Sequence, residues 1–125
     1  MSKTGRRRQR KPSRRSRQLG LPAGFLRDGR RFATLRDVLD PATPTLDGAD
    51  LPYRQVVRLT VARLRAQARF DFVVLGLGRL GKTRAIDAVR RQSPLGQFLT
   101  TVERHAIELA RRRFAPRPPP GGGDR

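Results

Sequence analysis

The first 18 residues offer almost no apolar side chains, and from Leu21 onward such residues arrive in short patterned blocks separated by turn chemistry. The first block flanks the pair Asp28 and Gly29, with Phe25 and Leu26 before it and Phe32 after, a spacing that predicts a short hairpin. Thr34 then stands as an N-cap before Leu35, Val38 and Leu39, which share one face of a short helix. Asp40 and Pro41 end it, because the residue before a proline is pushed out of the helical region. Between residues 41 and 52, Pro44, Asp47, Gly48 and Asp50 carry turn chemistry without periodicity and predict a loop.

Residues 52–70 carry the clearest helical period. Tyr53, Val57, Val61, Leu64 and Ala68 fall on one stripe, with Val56 beside it, and this face is expected to pack. Arg54, Arg58, Arg65 and Arg69 line an adjoining stripe. No acid lies between Leu51 and Phe70 to pair with them along the helix. Residues 70–75 are aromatic and β-branched and predict a short buried strand.

The segment from residue 93 admits two readings. Ser93 and Pro94 form an N-cap and first-turn pair, after which Leu95, Phe98, Leu99, Val102, Ala106 and Leu109 cluster on one side of a helix to residue 113. Thr100, Thr101, Arg104, Glu108 and Arg111 are expected to point away. The other reading takes residues 97–102 as a strand ending at Glu103. The helical period lasts about five turns and outweighs six residues of strand propensity.

Between these elements Gly76, Gly78 and Gly81 have G-x-G-x-x-G spacing, and residues 76–83 also complete G-x-x-x-x-G-K-T with Lys82 and Thr83. The string resembles the opening strand-loop-helix unit of Rossmann-type dinucleotide-binding domains, and it equally resembles a Walker A loop. The first resemblance implies that the three glycines approach a pyrophosphate. The second implies that Lys82 reaches terminal phosphates and Thr83 a magnesium ion. Only 42 residues follow Thr83, and they contain no hydrophobic strand ending in a Walker B aspartate. A dinucleotide fold needs a second strand with an acid about 20 residues on, and the helical reading of residues 93–113 removes it. Residues 78–81 then become a turn that places a short helix over residues 83–91. This helix and the next could form a helix-turn-helix-like pair, with Gln97, Thr100 and Thr101 as its few base-reading side chains.

Charge changes the picture more than any motif. The chain carries a formal net charge of +19 over 125 residues, and residues 23–114 alone hold eighteen basic side chains against nine acidic ones. Such an excess implies a polyanionic partner. Residues 1–22 contain nine basic side chains, Arg6, Arg7, Arg8, Arg10, Lys11, Arg14, Arg15 and Arg17 among them, and no acid. With little to bury and like charges repelling, this arm is expected to be disordered and to lie along phosphates. The end of the chain, residues 115–125, is rich in proline and glycine and reads as a disordered tail. There is no cysteine, so no disulfide or thiolate metal site is available. His105 is the only histidine, and no nucleophile-base pair is recognisable. No apolar run approaches the roughly 18 residues of a membrane span.

These patterns predict a mainly α protein. A domain of three to four helices over residues 23–114, with at most a short strand or hairpin, stands between a basic arm and a tail. The expected function is nucleic-acid binding, to DNA or RNA, through phosphate electrostatics with little sequence dependence, at the arm and at Arg54, Arg58, Arg65 and Arg69. No enzyme activity, cofactor or metal is expected, and the location expected is intracellular, cytoplasmic or nucleoid-associated. The alternatives are a protein-interaction or assembly module with a basic tail docking on an acidic partner, and nucleotide binding at residues 76–83.

Overall fold

The computed structural model describes residues 13–46, 48–68, 71–74 and 78–115, and the architecture is mainly helical. In chain order the elements are α1 (Arg14–Gly20), β1 (Pro22–Phe25), β2 (Phe32–Thr34), α2 (Leu35–Leu39), a single 3-10 turn (Gly48–Asp50), α3 (Tyr53–Ala66), β3 (Asp71–Val74), β4 (Gly78–Gly81), α4 (Lys82–Arg91) and α5 (Pro94–Phe114).

The hairpin expected around Asp28 is β1 paired antiparallel with β2, with Phe25 opposite Phe32 and a bulge between Pro22 and Gly24. Asp28 Oδ1 accepts the backbone N–H groups of Arg30 (2.8 Å) and Arg31 (3.1 Å), and Gly29 supplies the positive φ of 71° that the tip requires. These backbone donors, together with the Arg31 side chain, pull the Asp28 carboxyl from 3.8 down to about 2. Thr34 caps α2 in a reciprocal box, Thr34 Oγ1 accepting from Asp37 N at 3.2 Å and Asp37 Oδ2 from Thr34 N at 3.0 Å.

Helix α1 and the start of β1 correct the expected disordered arm over residues 13–22. Ser13 accepts from the Ser16 N–H at 3.0 Å and caps the helix. Leu19 packs against the core, Leu21 is buried, and Pro22 already belongs to β1. Local propensity did not announce this helix because docking holds it: Leu19 reaches the core, and the Arg15 guanidinium stacks 5.3 Å from the Phe114 ring centroid. Residues 1–12 lie outside the described residues, as do residues 116–125 of the expected tail.

Two apolar clusters share α3. One gathers Phe25, Leu35, Leu59, Ile107 and Ala110, and the other Val61, Leu64, Leu80, Val89 and Leu99. A helix between two cores must bury a wide sector, so the expected stripe of α3 is displaced. Tyr53 and Ala68 are exposed, while Val56, Leu59, Thr60 and Arg63 join Val61 and Leu64 inside.

The strand expected at residues 70–75 is β3, and its antiparallel partner is β4, which occupies residues 78–81 where a turn was expected. Helix α4 ends at Gln92, a non-glycine residue in the left-handed region (φ 52°). That costly conformation is held by its side chain. Gln92 Nε2 donates to Val89 O (2.7 Å) and Thr100 Oγ1 (3.2 Å), and Gln92 Oε1 accepts from the Tyr53 hydroxyl.

Ser93 caps α5, accepting from Gly96 N at 3.1 Å, with Pro94 in the first turn. The helix is rotated from its expected setting. Gly96, Leu99, Thr100, Glu103, Ile107 and Ala110 are buried, whereas Phe98, Val102 and Leu109 remain 57%, 37% and 49% exposed. The cause is steric: a Cβ on Gly96 would lie 1.9 Å from the Ala88 carbonyl oxygen, so only glycine lets α5 cross α4 this closely.

Gly96→Ala is therefore expected to destabilise the protein by about 2–3 kcal/mol in urea unfolding, with Gly20→Ala, which meets nothing within 4 Å, near neutral. A lowered carboxyl pKa stabilises the fold above the unfolded value and ceases to do so as pH falls through the folded one. The hairpin-tip contribution of Asp28 should thus be intact above pH 4 or so and vanish toward pH 2. An NMR titration of the Asp28 carboxyl with a midpoint near 4 would contradict this.

Candidate nucleic-acid interface

Arg6, Arg7, Arg8, Arg10, Lys11, Arg69 and Gly76 lie outside the described residues. The other expected residues divide into three settings.

Arg14, Arg15 and Arg17 are exposed on α1. Helix α1 lies beside the end of α5, and Arg14 and Arg15 meet Arg113 around a cavity of about 410 Å³. Arg15 and Arg113 both stack on Phe114, at 5.3 and 5.5 Å from its centroid. Cations almost a hundred residues apart in sequence thus share one rim. No local signal in the sequence linked Arg113 to the arm.

Arg54, Arg58 and Arg65 are exposed on α3, as the stripe predicted. Arg58 is also tied down. Its guanidinium lies 5.6 Å from the centroids of both Phe25 and Phe32, and Nη1 donates to Gln55 Oε1 at 2.8 Å. A guanidinium stacked on rings keeps edge donors for an anion while losing rotamer freedom beforehand.

Gly78, Gly81, Lys82 and Thr83 form β4 and the start of α4. Lys82 Nζ donates to the carbonyls of Arg65 (2.8 Å) and Gln67 (2.6 Å), so this ammonium closes the C-terminal end of α3. Residues 97–102 are helical, and the second strand that a dinucleotide fold requires does not form there. As for base reading by α5, Thr100 is buried and bonded to Gly96 O (2.8 Å), and Gln97 Nε2 donates to Gln92 O (3.0 Å).

Five acids among the described residues are occupied locally. Asp28 pairs with Arg31 (3.0 Å), Asp87 with Arg91 (3.2 Å) and Glu108 with Arg111 (3.7 Å). Asp37 serves the cap of α2. Asp40 accepts from Ala42 N (2.9 Å) and Thr43 Oγ1 (2.8 Å), which holds its carboxyl below the usual range. None of these contacts involves Arg14, Arg15, Arg54, Arg65 or Arg113. Among the described residues no cluster of His, Asp or Glu could hold a metal ion, His105 is exposed, and no helix is long and apolar enough to cross a membrane.

Behind the cationic rim lies a buried ion pair that sequence reasoning missed. Arg63 Nε donates to Glu103 Oε1 at 3.0 Å, Arg63 Nη1 to Pro22 O at 2.8 Å, and Gln67 Nε2 to the same Glu103 oxygen at 2.9 Å. The two charged side chains are 5% and 8% exposed. The available signal was a lone acid at Glu103 between Leu99 and Ile107, matched by a lone base among Leu59, Thr60 and Leu64.

No family model, curated protein or solved structure matches this chain. The geometry alone carries the functional argument.

Removing one partner of a buried pair strands the other charge. Glu103→Ala should cost about 3–5 kcal/mol in urea unfolding, and the joint replacement Arg63→Met with Glu103→Leu should cost less than either single change. Equal losses for single and double variants would mean that the pair contributes no such coupling.

Proposed function

We propose that the protein binds DNA or RNA through its phosphate backbone, with little dependence on sequence. The observation that carries this reading is the convergence of Arg14 and Arg15 with Arg113 on one rim, while Asp28, Asp87 and Glu108 pair with arginines elsewhere. Helix α1 directly continues the basic run of residues 1–12, so the arm enters the domain at this rim. Arginine suits the task because its planar fork donates two hydrogen bonds to a phosphate. Each neutralised phosphate releases condensed counterions, which makes affinity fall steeply with salt.

A second reading, docking of a protein partner, is favoured by one observation. Phe98, Val102 and Leu109 stand at i, i+4 and i+11 on the outer face of α5, and all three are exposed. Nucleotide binding at residues 76–83 gains no such support, since the Lys82 ammonium is engaged by α3.

The test is affinity for a fixed single- or double-stranded oligonucleotide across a salt series. Arg14→Gln, Arg15→Gln and Arg113→Gln together should reduce the slope of log K against log salt by about 2–3 and weaken all sequences alike. Truncation should stop at residue 12, because Leu19 and Leu21 belong to the packed domain. Binding that ignores salt, or is unchanged in the triple variant, refutes the reading; an assembly role through Phe98 predicts that unchanged result.

A further inference from the structure

The cavity between α1 and α5 combines three kinds of surface that rarely meet by chance. Its rim is cationic, with Arg14, Arg15 and Arg113. Its walls are apolar, with Leu21, Ala106 and Leu109. Its floor is the Glu103 carboxylate, held in place by Arg63 and Gln67. Both of those hydrogen bonds land on Oε1. Neither of these bonds engages Oε2, and Glu103, whose side chain is 8% exposed, lines the cavity. The volume of about 410 Å³ falls within the roughly 300–1,000 Å³ usual for ligand pockets and holds a single base with room to spare.

A free phosphate suits the rim but not the floor, where it would face a carboxylate. A purely apolar ligand would leave the three arginines and Oε2 unused. A nucleotide uses all three surfaces, with its phosphate on the arginines, its ring faces on the aliphatic walls and an amino group on Oε2. Uracil and thymine present a carbonyl oxygen where cytosine presents an exocyclic N–H, and a carboxylate repels that oxygen. We infer that the α1–α5 cavity receives one unstacked base of a single strand and selects bases bearing an exocyclic amine, with the adjacent phosphate held by Arg14, Arg15 and Arg113.

This inference rests on the nucleic-acid reading and adds to it a strand state and a base preference. Reading an unstacked base by its hydrogen-bonding edge is the common route to discrimination on single strands. Cytosine and uracil make the cleanest comparison, since they match in size and both stack weakly.

The experiment measures binding of the full chain to labelled oligo(C) and oligo(U) of equal length, with free CMP and UMP as competitors. Oligo(C) is expected to bind about tenfold more tightly than oligo(U) at equal salt. Competition by CMP but not UMP places the recognition in the mononucleotide, and competition by neither means that neighbouring phosphates are also needed. The variant Ala106→Phe fills the cavity while retaining the Arg63 and Glu103 side chains. It should abolish the preference while leaving the salt-dependent binding of both strands. Equal affinity of the wild type for the two oligonucleotides overturns the inference and leaves the electrostatic reading standing, and so does a preference that survives in Ala106→Phe. Absence of salt-sensitive binding to any oligonucleotide overturns both.

Discussion

The buried pair of Arg63 and Glu103 is the constraint around which the rest is arranged. It joins α3 to α5 at the seam between two apolar clusters and, through the second arm of the guanidinium, fixes Pro22 at the start of β1. Ionic groups removed from water need partners, and here Gln67 adds a second donor to the carboxylate beside Arg63. The result is directional. Apolar clusters tolerate sliding and rotation, whereas a guanidinium with two assigned acceptors does not, so this pair sets the register of α5 against α3.

Close backbone approach at Gly96 enforces the same register from the other side. The two constraints together determine which face of α5 is covered, and they leave Phe98, Val102 and Leu109 outside although those residues lie on its most apolar stripe. A helix in a domain this small does not simply turn its greasiest side inward. It takes the rotation that satisfies a buried charge and a steric contact, even with apolar side chains left in water.

Much of the fold was legible wherever its causes are local. The Asp28 turn, the cap at Thr34 and the start of α5 at Ser93 and Pro94 depend on a few neighbouring residues and stand where the pattern placed them. The helical course of residues 97–102 was legible from sustained period. Three features were not. Helix α1 is stabilised by docking rather than by its own sequence, the rotation of α5 depends on partners far along the chain, and β4 owes its extended form to pairing with β3. At the candidate site, the individual arginines were recognisable from charge, but their convergence was not. Arg15 and Arg113 meet only because Phe114 lies between them. Lys82 shows the opposite case, in which a string that looks like chemistry serves to close a helix end.

The stacking of Arg15 on Phe114 also fixes where the chain's two outer segments attach. The stretch that precedes Ser13 and the stretch that follows Ala115 both leave from the neighbourhood of one aromatic ring. A label meant to stay clear of the cavity therefore belongs on the hairpin tip near Gly29, a segment that contributes nothing to its lining.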